Sequence, residues 1–110
     1  MDDQTKNIIK NHIDSNDVCL FMKGTPDEPQ CGFSMAVSNM LKILEVKFNG
    51  VNVLENQSIR EGIKIYSDWP TIPQLYIKKE FVGGCDIIKE MYESGELKKI
   101  FDDKGISYKK

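Results

Sequence analysis

The sequence predicts an α/β fold, a four-stranded mixed sheet flanked by helices on both faces. Three observations point to it. Apolar spacing alternates between helical and strand periods in the order α, β, α, β, α, β, β, α. The first strand, the helix after it and the second strand form a crossover, which makes a parallel pair. The last two strands are joined through a turn at Lys78-Lys79, which makes an antiparallel hairpin.

Each element has its own justification. Residues 4–14 place Ile8, Ile9 and Ile13 on one stripe of a short amphipathic helix. His12 lies beside that stripe and, with no second histidine in the chain, is read as packing or solvated. Asn16-Asp17 break the pattern, and Val18 to Met22 is a continuous apolar run, as expected of a strand covered on both faces. Cys19 within it reads as a small buried hydrophobe. Gly and Pro punctuate Met22 to Gln30, so a loop follows. Val37, Leu41 and Leu44 then give Met35–Leu44 a helical face, and Val46 to Val53 reads as the second strand. Asn56 or Ser58 caps the next helix; Ser58 and Glu61 have the spacing of a capping box. Ile59, Ile63 and Tyr66 form its apolar face, Trp69-Pro70 ends it, and Pro73 opens a strand at Gln74 to Ile77. Phe81-Val82 returns antiparallel. Asp86 is the expected N-cap of a last helix through Ile87, Ile88, Met91 and Tyr92. Gly95 breaks that helix, and Leu97 and Ile100 suggest one more short turn. From Gly105 the polar tail is expected to fray.

Composition narrows the function. At 110 residues the chain predicts a single domain, 1–110, with a core from about 5 to 101 and a flexible tail from about 105 to 110. Fifteen basic residues against 17 acidic ones give a net charge of −2, and no basic block suggests nucleic acid. The apolar run Val18–Met22 is far short of the ~20 residues of a membrane span, so no membrane association is expected. Met1-Asp2-Asp3 lacks the basic start of a signal peptide or a transit peptide. Three widely spaced cysteines argue against a secreted disulfide framework and for a reducing, cytosol-like compartment. A cytoplasmic protein is expected; a mitochondrial form trimmed of its presequence fits the same residues.

Cys31 is where the chemistry is expected. It follows the Gly/Pro loop and stands at a helix start, where unpaired N–H groups and the helix dipole favour thiolate over thiol. Lys23 adds positive charge if the loop folds back. Ser34 occupies the position at which a second cysteine would complete C-x-x-C, so this is a one-thiol site.

Lys23-Gly24-Thr25-Pro26, then Pro29 and Cys31-Gly32-Phe33-Ser34, resemble the signature of the CGFS-type monothiol glutaredoxins. Trp69-Pro70-Thr71-Ile72-Pro73-Gln74-Leu75-Tyr76 and Gly83-Gly84-Cys85-Asp86-Ile87 match the family's other two motifs in order, and the likeness runs from about Val18 to Leu97. The resemblance implies the thioredoxin-like fold and a glutathione site next to Cys31 and Phe33. It implies a cis Ile72–Pro73 bond, with Thr71-Ile72-Pro73 pairing with an extended peptide. Gly84 would let the ligand approach, and Cys85-Asp86 would hold the γ-glutamyl group. Lys23 and Arg60 would meet the sulfur and the glycyl carboxylate. Read as residues alone, Gly83-Gly84 are hairpin breakers, Asp86 is a cap, and Lys23 and Arg60 are solvated charges. Cys85 is either packed under the ligand, the favoured reading, or a disulfide partner for Cys31. One departure from the family lies at Lys78-Lys79, where a Gly-containing pair is common; the turn is expected to be weaker for it.

A [2Fe–2S] cluster takes four thiolates. One exposed thiol per chain leaves two to be supplied from outside, and bound glutathione fills them. The expectation is therefore a homodimer bridged by a labile cluster, with Cys31 as the protein's metal ligand, and a monomer without it. The resemblance adds apo iron–sulfur proteins as recipients and a BolA-like protein as partner. Two alternatives stay open. One is a glutathione-dependent thiol–disulfide oxidoreductase, expected to be weak because the long loop Thr25–Gln30 misorients glutathione. The other is an iron-status regulatory module acting with the BolA-like partner.

Overall fold

The computed structural model describes residues 1–110. Helix α1 (Asp3–Ser15) begins at Asp2, whose carboxylate accepts the Thr5 N–H at 2.7 Å. Strand β1 (Val18–Met22) follows, then α2 (Gly32–Ile43) and β2 (Asn49–Asn52). Helix α3 spans Gln57–Ser67, β3 Gln74–Ile77 and β4 Glu80–Gly83. Helices α4 (Cys85–Ser94) and α5 (Glu96–Asp103) close the chain. The sheet order is β2-β1-β3-β4, with β1 parallel to β2 and the other pairs antiparallel. This is the thioredoxin-like arrangement.

The continuous apolar run of β1 is explained by a core on each side of it. Val18, Leu20 and Met22 point into a cluster with Val37 and Leu41 of α2, Ile88 of α4 and Phe101 of α5. Cys19 and Phe21 point the other way, toward Ile9 and Ile13 of α1 and Ile59 and Ile63 of α3. All five strand residues are buried, and at β1's C-terminal end the chain leaves for the loop that carries Lys23.

Several boundaries differ from expectation. The second strand is only Asn49–Asn52, because the Val46 N–H goes to Leu41 O at 3.1 Å as α2 ends, with Glu45 at φ 53°. At its far end the Asn52 side chain caps a single 3-10 turn, Val53–Glu55. Asn56, not Ser58, caps α3, its Oδ1 accepting the Ser58 and Ile59 N–H groups at 3.0 and 3.2 Å. Asp86 is not a cap: Gly84 holds that position, and Asp86 sits inside the first turn of α4. The short turn expected around Leu97 is an eight-residue helix that buries Leu97 and Phe101. The tail, expected to fray, lies back along the domain. Lys109 N–H donates to Leu44 O at 2.6 Å, Tyr108 OH to Asp102 at 2.9 Å, and Ile106 and Tyr108 pack on the core. Its apolar residues seat it on the core, and Lys110 adds an exposed ion pair to Asp102 at 3.6 Å.

The hairpin turn places Lys78 and Lys79 at φ 49° and 73°, the left-handed region that favours glycine. Lys78 is tied down by Asp17, whose carbonyl accepts its N–H at 2.7 Å and whose carboxylate meets its Nζ at 3.1 Å.

Candidate functional site

Cys31 occupies the N-cap position of α2, in extended conformation (φ −150°, ψ 136°). A cap residue faces the free N–H groups of the first helical turn. The Ser34 backbone N–H is the main influence holding the Cys31 thiol below the ordinary thiol range; partial burial opposes it. The Phe33 N–H, the Lys23 charge and the Ser34 hydroxyl all act with Ser34 N–H. Ser34 is fully buried, and its Oγ also accepts the Lys23 N–H at 3.0 Å. The residue standing in for a second cysteine therefore ties loop, helix and sulfur together. By spacing Ser34 reads only as a missing thiol; its place in the first turn after the cysteine is the signal for this role.

A cleft of about 610 Å³ opens beside the sulfur. Lys23, Cys31 and Phe33 form one wall, and Thr71, Ile72 and Pro73 another. Gly84, Cys85 and Asp86, at the start of α4, form the third. The Ile72–Pro73 bond is cis. Nine of the ten expected site residues thus meet around one space. Arg60 does not line it. Lys64, one turn further along α3, does, as do Trp69, Pro70 and Ile87. The repeat of positive charge four residues after Arg60 was the signal for Lys64.

The rims are built to hold still. Gln74, fully buried, donates from Nε2 to Trp69 O and Thr71 O, both at 3.1 Å, and its Oε1 accepts the Tyr76 hydroxyl at 3.4 Å. It fixes the segment that leads into Ile72 and Pro73, a role its place as the first residue of a strand does not signal. Gly84 has no room for a side chain to spare: a Cβ there would stand 3.2 Å from Trp69 Nε1 and 3.4 Å from Pro73 O. Close backbone approach explains this glycine.

The other two thiols differ from Cys31. Burial, with the Asp86 charge second, pushes the Cys85 thiol up, only partly offset by Lys89. Burial in the strand pushes Cys19 up to about 12, against a hydrogen bond to Asn49. All three cysteines are free. No group of three or more His, Cys, Asp or Glu side chains gathers closely enough to hold a metal ion. No helix is long and apolar enough to cross a membrane.

Known proteins share this layout. The family model described as Glutaredoxin matches residues 18–82, from β1 into β4. A mitochondrial monothiol glutaredoxin-5 from Lachancea kluyveri is 55% identical over 103 residues, 91% of this chain and 72% of its own. A probable monothiol glutaredoxin 2 from Rickettsia typhi is 52% identical over 103 residues, 94% of this chain and 93% of its own. Among solved structures, a monomeric truncated mutant of 1-C-Grx1 from Trypanosoma brucei superposes with a TM-score of 0.89 at 45% identity, covering 96% of each chain. With one activated thiol at a helix start and serine in the second cysteine's place, the chain belongs to the glutaredoxin family, among its monothiol members.

Proposed function

We propose that the chain binds glutathione beside Cys31 and carries a [2Fe–2S] cluster between two copies of itself, as an assembly and transfer protein for iron–sulfur clusters. The observation that carries this reading is a single activated thiol opening on a cleft with cationic and helix-start walls. Glutathione has two carboxylates, one amine and one thiol. The free N–H groups at the start of α4 suit the γ-glutamyl carboxylate, with the Asp86 side chain for the amine. Lys23, Lys64 and, one turn earlier on α3 and outside the cleft lining, Arg60 suit the glycyl carboxylate. Thr71 and Ile72 present backbone to the extended tripeptide, Phe33 covers the sulfur end, and Pro73 and Gly84 shape the floor. Cys85 packs against the ligand.

The cargo takes four thiolates, and this chain brings one to the surface of the cleft. Two copies with two glutathiones complete the set, so half of the ligation is dissociable. That suits release to a recipient apoprotein, and it makes the cluster-free chain a monomer. A BolA-like protein in place of one copy would turn the same site to regulation. The compartment we infer is a reducing one, cytosol-like or, as in the name of the Lachancea relative, mitochondrial.

The lowered thiol of Cys31 also favours a second reading, reduction of glutathionylated proteins. The Cys31 thiolate attacks the glutathionyl sulfur, the substrate's thiolate leaves, and Cys31 becomes the mixed disulfide. A second glutathione thiolate then displaces it, giving glutathione disulfide and free Cys31.

Anaerobic reconstitution with iron, sulfide and glutathione separates the two. Carriage predicts a visible absorption and circular dichroism signal, with dimerisation on gel filtration, that needs glutathione and vanishes in Cys31→Ser. No cluster, together with rapid turnover of a glutathionylated substrate, would favour the enzyme.

A further inference from the structure

The loop from Gly24 to Gln30 is tied down along its whole length. Gly24 bridges to Pro29, and the Gln30 N–H donates to Lys23 O at 2.9 Å. Thr25 and Glu28 exchange backbone hydrogen bonds at 3.2 and 3.1 Å. Lys42 Nζ, from α2, donates to Pro26 O. Gly50 of β2 lies so close beneath Pro26 that a Cβ there would stand 2.6 Å from its ring.

We propose that Asn52, at the end of β2, is the positioning residue that clamps this loop and so sets Lys23 at the mouth of the Cys31 cleft. Its Oδ1 accepts two N–H groups. One is local, from Leu54 at 3.0 Å, and caps the 3-10 turn. The other comes from Gly24 at 2.9 Å, 28 residues back in the chain. A side-chain amide oxygen has two lone pairs, so both bonds are made at once. Gly24 leaves no room for a side chain. Its φ is +89°, and a Cβ would meet Glu28 O at 2.5 Å and Gln30 N at 2.6 Å. Lys23 is thus gripped at successive amides: its own N–H by Ser34 of α2, the next by Asn52 of β2. A loop without regular structure holds a charge in place only through such anchors.

This rests on the reading that Cys31 works as a thiolate in a cationic cleft, and names what holds the cation there. The test uses Asn52→Ser. Serine still caps Leu54, but is too short to reach Gly24. Gly24 amide exchange is read by NMR. The rate of Cys31 modification is measured with Ellman's reagent, an anion, and with 4,4′-dithiodipyridine, which is neutral. The ratio of the two rates at one pH cancels the thiolate fraction and reports local charge. Gly24 exchange should accelerate and the anionic-to-neutral ratio fall about threefold, what one unit charge ~6 Å away supplies in a water-like dielectric. In a Lys23→Ala background the ratio should not change further. Lys42→Met, at an exposed side chain, frees the loop at Pro26. Even if Asn52→Ser fails to fold, the fall in the ratio that Lys42→Met causes should be larger with Lys23 present than in the Lys23→Ala background, the difference discounting the loss of the Lys42 charge. An unchanged Gly24 exchange, an unchanged ratio, or an equal fall in the Lys23→Ala background would overturn the proposal. Neither glutathione nor a cluster is needed, so failure of the carrier reading would show elsewhere and leave these rates as they are.

Discussion

Cys19 and Cys31 are the same residue in opposite surroundings. Cys19 lies mid-strand with no exposed surface, between α1 and α3, and burial pushes its thiol up to about 12. Cys31 lies at the cap of α2, where the Ser34 and Phe33 N–H groups, Lys23 and the Ser34 hydroxyl draw its thiol down. The difference teaches that a thiol's chemistry is assigned by the element it terminates or fills. A cysteine inside a central strand is a small apolar side chain; at a helix start it is an anion in waiting. Cys85, in the first position of α4, warns that helix starts are not equivalent. Burial and Asp86 outweigh the dipole there, and its thiol moves up.

The largest effect should come from removing one side of the contrast. Cys31→Ser is expected to abolish cluster formation and to remove most of the alkylation at pH 7, since the Cys31 thiol is drawn down while those of Cys85 and Cys19 are pushed up. Iodoacetamide labelling read by mass spectrometry checks it; labelling that persisted would place the reactive thiol elsewhere. Ser34→Ala should come next. It leaves the Lys23 N–H without its acceptor and strips one donor from the sulfur. Urea unfolding should show a loss of about 2 kcal/mol, and the Cys31 alkylation midpoint should rise. Cys19→Ser sharpens the other side: a hydroxyl in the strand core should cost about 1 kcal/mol, with the Cys31 profile unmoved. Smallest is Lys79→Gly at the hairpin, remote from the contrast. Relieving a left-handed lysine should stabilise by about 0.5 kcal/mol, net of glycine's entropy. It should leave every thiol as it was, and a shift in Cys31 there would mean that its profile tracks stability alone.

Much of this was legible in the residues. Strand β1 was, because five consecutive apolar residues have no other stable home than a doubly covered strand. So was the grouping of Lys23, Cys31, Phe33, Thr71 to Pro73 and Gly84 to Asp86, since the three motifs carry it. What escaped was set by contacts across the chain. Asn52 reads as an ordinary strand end until its oxygen is seen to meet Gly24. Gln74 reads as the first residue of a strand until its amide is found buried against two loop carbonyls. The second strand is shorter than its apolar pattern because the exit of α2 takes the Val46 N–H. The tail looked polar because its two core-packing residues, Ile106 and Tyr108, are spaced among lysines and serine. Local pattern reports what a segment prefers; these residues answer to distant partners.

The measurement that bears most directly on the central claim is the pH profile of alkylation for each cysteine of the native wild-type chain, read site by site by mass spectrometry. A lowered thiol keeps its reactive thiolate to lower pH than a free cysteine does; a raised one loses it sooner as pH falls. Cys31 should therefore reach half its maximal rate below the ordinary value of about 8.5, and Cys85 above it. Cys19 should stay unmodified until the protein unfolds. A common midpoint for Cys31 and Cys85, or Cys85 reacting first, would contradict the account.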